Sequence, residues 1–156
     1  MVVGNPRPRS RTLVAATAVA RTVTGAEPDR VVDLTELGAR LLDWEDAAVA
    51  ELVAEVEAAR VVVFATPTYK GSYTGLLKLF LDRFASGSLA GVLAVPLMLG
   101  ASERHALAVE VFLKPVLAEL GATTLGPGLY LLDAHWQDLE PIREQLEGLR
   151  RRVVYT

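Results

Sequence analysis

Short runs rich in β-branched residues alternate with longer segments whose apolar residues recur at helical spacing, and this alternation limits the fold more than any other feature. The runs that predict strands are Met1–Val3, Arg30–Leu34, Val61–Ala65, Val92–Met98 and Thr124–Leu132. The segments that predict helices are Thr12–Thr24, Trp44–Ala59, Gly75–Phe84, Arg104–Leu120 and Asp138–Arg152. Such alternation is typical of βαβ crossovers, which imply a parallel sheet with helices on both faces.

The number of predicted strands narrows the topology. Five strands without a long crossover favour a flavodoxin-like three-layer α/β sandwich of strand order 2-1-3-4-5 over the six-stranded dinucleotide-binding order. The chain of 156 residues fits a single domain over residues 1–156. Ligands of such sheets lie outside the carboxyl ends of the strands, so we expect a site in three loops. These loops are Gly4–Arg11, Thr66–Thr74 and Leu99–His105.

Charge and composition exclude several classes of protein. The 16 basic and 19 acidic residues are mixed along the chain, so no basic block is available for nucleic acid. The longest apolar stretch is interrupted at Pro96, short of the roughly 20 residues that a membrane span needs. Without cysteine there is no disulfide or thiolate metal site, and no signal-peptide pattern is present. We therefore expect a soluble, cytoplasmic protein that binds neither nucleic acid nor membrane.

The first loop has the composition of an anion site. Residues Gly4–Thr12 contain three arginines and two hydroxyl side chains around two prolines, between a strand and a helix. Free N–H groups at a helix start attract phosphate, and arginine forks with the hydroxyl of Ser10 or Thr12 add hydrogen bonds. The glycine patterns that bind a dinucleotide pyrophosphate or a nucleoside triphosphate are absent from this loop. Alternatively, Ser10 or Thr12 only caps the helix and the arginines are only solvated.

The second and third loops combine small residues with a few polar side chains. Small residues in Thr66–Gly75 let backbone groups approach the polar edge of a planar heterocycle, and Tyr69 offers a flat face. Lys70 could meet an anion. The structural alternatives are a turn at the start of this loop, an exposed lysine and a core position for Tyr73.

In the third loop Ser102 could cap the following helix. The lone His105 is more typical of a surface or capping residue than of a catalyst, and Arg104 is equally ambiguous.

Three segments read GNPRPRSRT at residues 4–12, ATPTYKGSYTGLLKLFLD at residues 65–82 and HALAVEVFLKPVLAELGA at residues 105–122. Together they resemble the NAD(P)H-dependent FMN reductase family. The second and third are similar in particular to the reductases that supply reduced FMN to two-component flavin monooxygenases, such as the alkanesulfonate and methanesulfonate systems. Asn5 and Arg9 depart from the family, which commonly has Ser and a small residue there.

The resemblance implies hydride transfer from NADPH or NADH to the N5 atom of FMN, with no catalytic acid, base or metal. It assigns the FMN phosphate to Arg7, Ser10, Arg11 and Thr12. It assigns the ribityl chain and the two edges of the ring to Pro67, Thr68, Tyr69, Lys70, Gly71, Ser72, Gly100, Ala101 and Ser102.

The same resemblance implies partners. It suggests a flavin-dependent monooxygenase as recipient of reduced FMN, and a homodimer or homotetramer. In this branch a tyrosine that we match to Tyr73 sits in a π-bulged helix at the tetramer interface. The alternatives are a reductase that retains FMN and reduces quinones or azo compounds, a flavodoxin-like electron carrier, or a regulatory module that has lost the reaction.

Overall fold

A parallel six-stranded sheet lies at the centre of the structure, a computed structural model that describes residues 1–155. The strands are β1 (Val2–Val3), β2 (Val32–Asp33), β3 (Val61–Pro67), β4 (Leu93–Gly100), β5 (Thr123–Thr124) and β6 (Leu129–Leu132). The helices are α1 (Arg11–Thr24), α2 (Ala47–Glu57), α3 (Gly75–Leu81), α4 (Lys114–Glu119) and α5 (Arg143–Tyr155). Short turns of other helical types include a 3-10 turn at Glu103–His105 and a π-helical turn at Val109–Leu113.

The strand order is β2-β1-β3-β4-β5, with β6 also paired to β4. The predicted flavodoxin-like order 2-1-3-4-5 is therefore confirmed. The predicted last strand, Thr124–Leu132, is divided, because β5 pairs with the start of β4 and β6 pairs with its end. Pro127 lies between the two pieces and has no N–H to donate to a ladder. Gly128 follows it, where an added Cβ would lie 2.4 Å from a methyl group of Val109.

Helices cover both faces of the sheet and complete the three layers. Alternate residues of β3 point to opposite faces, so Val62 and Phe64 belong to one buried cluster and Val63 and Ala65 to the other. The first cluster is completed by residues of α2, α3 and α4, including Val49, Leu77 and Leu117. The second is completed by residues of α1 and α5, including Ala15, Val19 and Leu146. Burial on both faces explains why the first five residues of β3, Val61–Ala65, are continuously apolar.

The helix boundaries differ from the predicted ones where a side chain sets them. α2 begins at Ala47 rather than at Trp44, because the carboxylate of Asp46 accepts a hydrogen bond from Val49 N at 2.9 Å and caps the helix. α3 ends at Leu81, before the predicted Phe84. None of the helices in residues 1–155 is long and apolar enough to cross a membrane.

The predicted helix Arg104–Leu120 is the largest departure. It consists of the 3-10 turn Glu103–His105, the π turn Val109–Leu113 and α4. Pro115 stands near the start of α4 and lacks the N–H that an α-helix would donate four residues back, which favours the wider turn before it. The placement of Tyr73 in a π-bulged helix is wrong, since Tyr73 precedes α3 and the π turn lies elsewhere.

Candidate binding site at the carboxyl edge of the sheet

The three predicted loops meet at one edge of the sheet, because each follows the carboxyl end of a neighbouring parallel strand. Backbone hydrogen bonds join them. Gly4 N donates to Ala65 O at 2.8 Å, and Thr68 N donates to Leu99 O at 2.6 Å. The hydroxyl of Thr74 donates to Gly4 O at 2.5 Å and accepts from Leu77 N, so one side chain ties the first loop to the start of α3. The loops therefore form one connected cluster.

The first loop is ordered by Asn5, which is only 7% exposed. Its amide Nδ2 donates to Thr12 Oγ1 at 2.9 Å, and its Oδ1 accepts from Arg7 N at 2.9 Å. Asn5 appeared in the sequence only as a departure from the family. The structure shows that it holds two of the predicted phosphate ligands in place.

The start of α1 leaves donors free beside this loop. Ser10 caps the helix by accepting from Leu13 N at 3.2 Å, so the capping alternative for Ser10 is confirmed, while its own hydroxyl proton stays available. The N–H groups of Arg11 and Thr12 occupy the first two helical positions and have no intrahelical acceptor. These groups and the helix dipole favour an anion at this end.

Three exposed arginines lie next to these donors in the sequence. Arg7, Arg9 and Arg11 form no ion pair with any residue in the range 1–155, so their charge is not neutralised by the described part of the chain. A dianionic phosphate has the charge and the acceptor oxygens that such a set would bind. The residues present therefore fit a phosphate-bearing ligand.

The second loop contains a tight turn with unusual backbone angles. Tyr69 and Ser72 exchange backbone hydrogen bonds of 2.8 and 3.2 Å across Lys70 and Gly71. Lys70 has φ 54° and Gly71 has φ 82°, and positive φ at both central positions defines a type I′ turn. Lys70 and Arg9 are the non-glycine residues with positive φ in the described chain, and both lie in the predicted loops. Backbone strain of this kind clusters at functional sites.

The side chains of this loop divide between surface and interior. Tyr69 is 46% exposed and free to contact a ligand, and Lys70 is exposed. Tyr73 packs partly buried against the core, as its structural alternative expected. Thr68 Oγ1 is buried, and a side-chain hydrogen bond between Thr68 and Tyr130 acts to lower the pKa of that phenol.

In the third loop, Ser102 caps the short helical turn that follows it. Ser102 caps the 3-10 turn by accepting from Arg104 N at 3.3 Å, which confirms its predicted capping role for that turn. Arg104 and His105 are exposed, in agreement with the surface reading of both. Ala101 is exposed and Gly100 is buried.

Tyr130 on β6 was missed by the sequence reasoning although it reaches this loop. Its hydroxyl donates to Ser102 O at 2.6 Å. Burial, and then the charge of Asp133, raises the pKa of Tyr130, so the phenol remains a donor at neutral pH. The only signal in the sequence was its place near the end of a strand, next to the predicted site.

This fold and this cluster define a flavodoxin-like α/β protein with an arginine-rich loop at the switch point of its sheet. The family model described as NADPH-dependent FMN reductase matches residues 1–137. The chain belongs to this NADPH-dependent FMN reductase family, a family of oxidoreductases that use FMN and a nicotinamide cofactor. The family, fold and cofactors predicted from the sequence are therefore confirmed.

Individual relatives agree with the family. The chain is 35% identical to an FMN reductase (NADPH) of Pseudomonas aeruginosa over 93% of its own length and 81% of the relative. It is also 35% identical to the NADH-dependent FMN reductase SfnF of Pseudomonas fluorescens, with the same coverage. Among solved structures, the apo form of the NADH:FMN oxidoreductase EmoB superposes with a TM-score of 0.86 at 31% identity, covering 97% of this chain and 85% of that one.

Proposed function

We propose that residues 1–156 act as one domain that binds FMN and NADPH or NADH at the carboxyl edge of the sheet, reduces the flavin and releases it to a flavin-dependent monooxygenase in the cytoplasm. The observation that carries the proposal is the unneutralised arginine set beside the free N–H groups of α1. Release to a partner rests on the resemblance of residues 65–82 and 105–122 to the reductases of two-component flavin monooxygenases, and the likeness to SfnF, named an NADH-dependent FMN reductase, supports the reduction step.

The first loop would hold the phosphate. The guanidinium groups of Arg7 and Arg11 supply charge. The hydroxyl oxygens of Ser10 and Thr12 act as acceptors in the hydrogen bonds described above, so each hydroxyl still has its proton to donate to a ligand. Asn5 fixes Thr12 through its amide, so the cradle is formed before the ligand arrives. Preorganisation of this kind lowers the ordering cost of binding.

The second and third loops would hold the ring. Pro67 ends β3, and residues 68–72 form the turn beside it, with Tyr69 at the surface and the hydroxyl of Thr68 buried. Gly100, Ala101 and Ser102 lie on the neighbouring strand end. When bound, FMN supplies the hydride acceptor, and the chain supplies orientation and backbone donors rather than an acid or base.

A homo-oligomer is part of the proposal. The resemblance places a π-bulged helix at the tetramer interface, and here the π turn carries Val111 and Phe112, which are 58% and 44% exposed. Leu107, one turn earlier, is 71% exposed. Burial of such an exposed apolar surface against a second copy of the chain would stabilise a dimer or tetramer. The interface prediction for Tyr73 stays untested.

Val111→Glu should give a smaller species than the wild type by size-exclusion chromatography with light scattering, and an unchanged mass would contradict this interface.

The reaction is tested by a steady-state assay. Purified protein should oxidise NADPH or NADH only when FMN is added, and should lose bound flavin on gel filtration. Flavin that stays bound through gel filtration, with electrons passed to a quinone, would replace this proposal by the FMN-retaining reductase. FMN binding without nicotinamide oxidation would replace it by a carrier or regulatory module.

A further inference from the structure

A tyrosine outside the three loops reaches into their centre. Tyr130 on β6 pairs in register with Met98 on β4, and Leu132 pairs with Gly100. Because strand side chains alternate, Tyr130, Met98 and the missing side chain of Gly100 belong to the same face. The phenol extends into the space above Gly100, where an added Cβ would lie 2.2 Å from the Tyr130 oxygen. Glycine at position 100 therefore makes room for this tyrosine.

The phenol is anchored to the third loop. Tyr130 OH donates to Ser102 O at 2.6 Å, and the same carbonyl accepts from His105 N at 3.1 Å. Ser102 is also the cap of the 3-10 turn through its hydroxyl. Tyr130 on β6 thus holds Ser102, the residue that caps the 3-10 turn of the third loop.

The second loop meets the same point from the other side. Thr68 N is bonded to Leu99 O, which brings Thr68 alongside Gly100 on the adjacent strand end. Thr68 Oγ1 lies 3.1 Å from the position that a Gly100 Cβ would take. Its hydroxyl is buried and is hydrogen-bonded to Tyr130, whose oxygen keeps a lone pair because its proton lies on Ser102 O.

We propose that Tyr130 is a positioning residue of the flavin site, which holds the third loop against the second before the ligand binds. The identity of the ligand rests on the proposed function, whereas the anchoring of the loop does not. Without the phenol, the Ser102 carbonyl loses its strongest donor and a space opens above Gly100. The loop then samples more conformations, and part of the binding free energy is spent on ordering it.

Amide hydrogen exchange on flavin-free protein tests the anchoring. Tyr130→Phe should speed exchange at Arg104 and His105 by about threefold to tenfold, the range expected for one lost hydrogen bond. Ser86→Ala is the matched control, because Ser86 is bonded to Glu119 near the opposite edge of the sheet, and it should leave these amides unchanged. Exchange at Arg104 and His105 that is the same in Tyr130→Phe and wild type would overturn the proposal.

Flavin binding supplies the second readout. Tyr130→Phe should weaken the binding of FMN and of riboflavin by the same factor of about three to ten, because the proposed function assigns this loop to the ring and not to the phosphate. It should leave kcat little changed. Gly100→Ala should weaken FMN binding by tenfold or more in the wild type and by a clearly smaller factor in Tyr130→Phe, because the oxygen at 2.2 Å is then gone and the nearest remaining atoms lie 3.1 Å away. Additive effects of the two substitutions would contradict the packing of Tyr130 over Gly100. Since the exchange experiment contains no flavin, its result stands whether or not the wild type reduces FMN.

Discussion

Asn5 offers the sharpest test of how the first loop works. Asn5→Ala removes two hydrogen bonds of 2.9 Å, one to the hydroxyl of Thr12 and one from the N–H of Arg7. At about 1 kcal/mol each, their loss should lower the free energy of unfolding by about 2 kcal/mol. For a chain of 156 residues this corresponds to a fall in Tm of about 4–8 °C. Thermal unfolding followed by circular dichroism measures it.

The same substitution should affect flavins unequally. With the loop no longer held, the KM for FMN should rise by about tenfold, which corresponds to about 1.4 kcal/mol, while the KM for riboflavin, which has no phosphate, should stay the same. Val56→Ala is the control, because it truncates a buried residue of α2 outside the three loops and should lower stability without changing the FMN-to-riboflavin ratio. The reasoning is refuted if Asn5→Ala keeps the wild-type Tm, or if the KM values for FMN and riboflavin rise by the same factor.

Three further substitutions probe the connections around the site. Thr74→Val removes the cap of α3 and the bond to Gly4 O, and should lower stability by about 2 kcal/mol in urea unfolding, with Thr74→Ser close to wild type. Lys70→Gly relieves the backbone strain of a positive φ at this position, so it should raise the free energy of unfolding by up to about 1 kcal/mol while weakening FMN binding. A lower free energy of unfolding would contradict the presence of that strain. Burial raises the pKa of Glu110, but the hydrogen bonds from Lys114 and a backbone N–H outweigh it and hold that pKa below its ordinary value. The stabilisation is therefore complete above pH of about 4.3 and is lost as the pH falls through the folded-state pKa, so Glu110→Gln should unfold more easily at pH 7 and approach wild type in acid. A difference in stability between Glu110→Gln and the wild type that stays constant with pH would contradict this role of the Glu110 carboxylate.

The fold could be predicted because it depends on periodicity. Alternating strand and helix patterns, together with the strand count, indicated the parallel sheet and its order, and the structure confirms both. The boundaries depended on single residues instead. Pro127 divides the last strand, and Pro115 replaces the middle of a predicted helix by a π turn and a short α4. Both prolines were visible in the sequence, but their effect depends on which backbone N–H groups the surrounding structure needs.

The site could be located but not fully assembled from the sequence. Topology brings the three loops to one edge, so their meeting was predictable. The roles of Asn5 and Tyr130 were not predictable, because they depend on how the loops fold: Asn5 bonds across its own loop to Thr12 and Arg7, and Tyr130 reaches Ser102 from another part of the chain. The distance between Tyr130 and Ser102 in the sequence is 28 residues, and no local pattern encodes such a pair.

The most direct measurement is the affinity of the wild type for FMN and for riboflavin, determined by flavin fluorescence titration, and repeated on Arg7→Ala/Arg11→Ala. The two arginines lie beside the free N–H groups of α1 and are unpaired among the described residues. Charge-assisted hydrogen bonds of this kind stabilise by about 1.5–3 kcal/mol, so FMN should bind at least tenfold tighter than riboflavin. The double variant should lose most of this preference, and the N–H groups of α1 with the hydroxyls of Ser10 and Thr12 should keep the remainder. Equal affinity of the wild type for the two flavins would contradict the account.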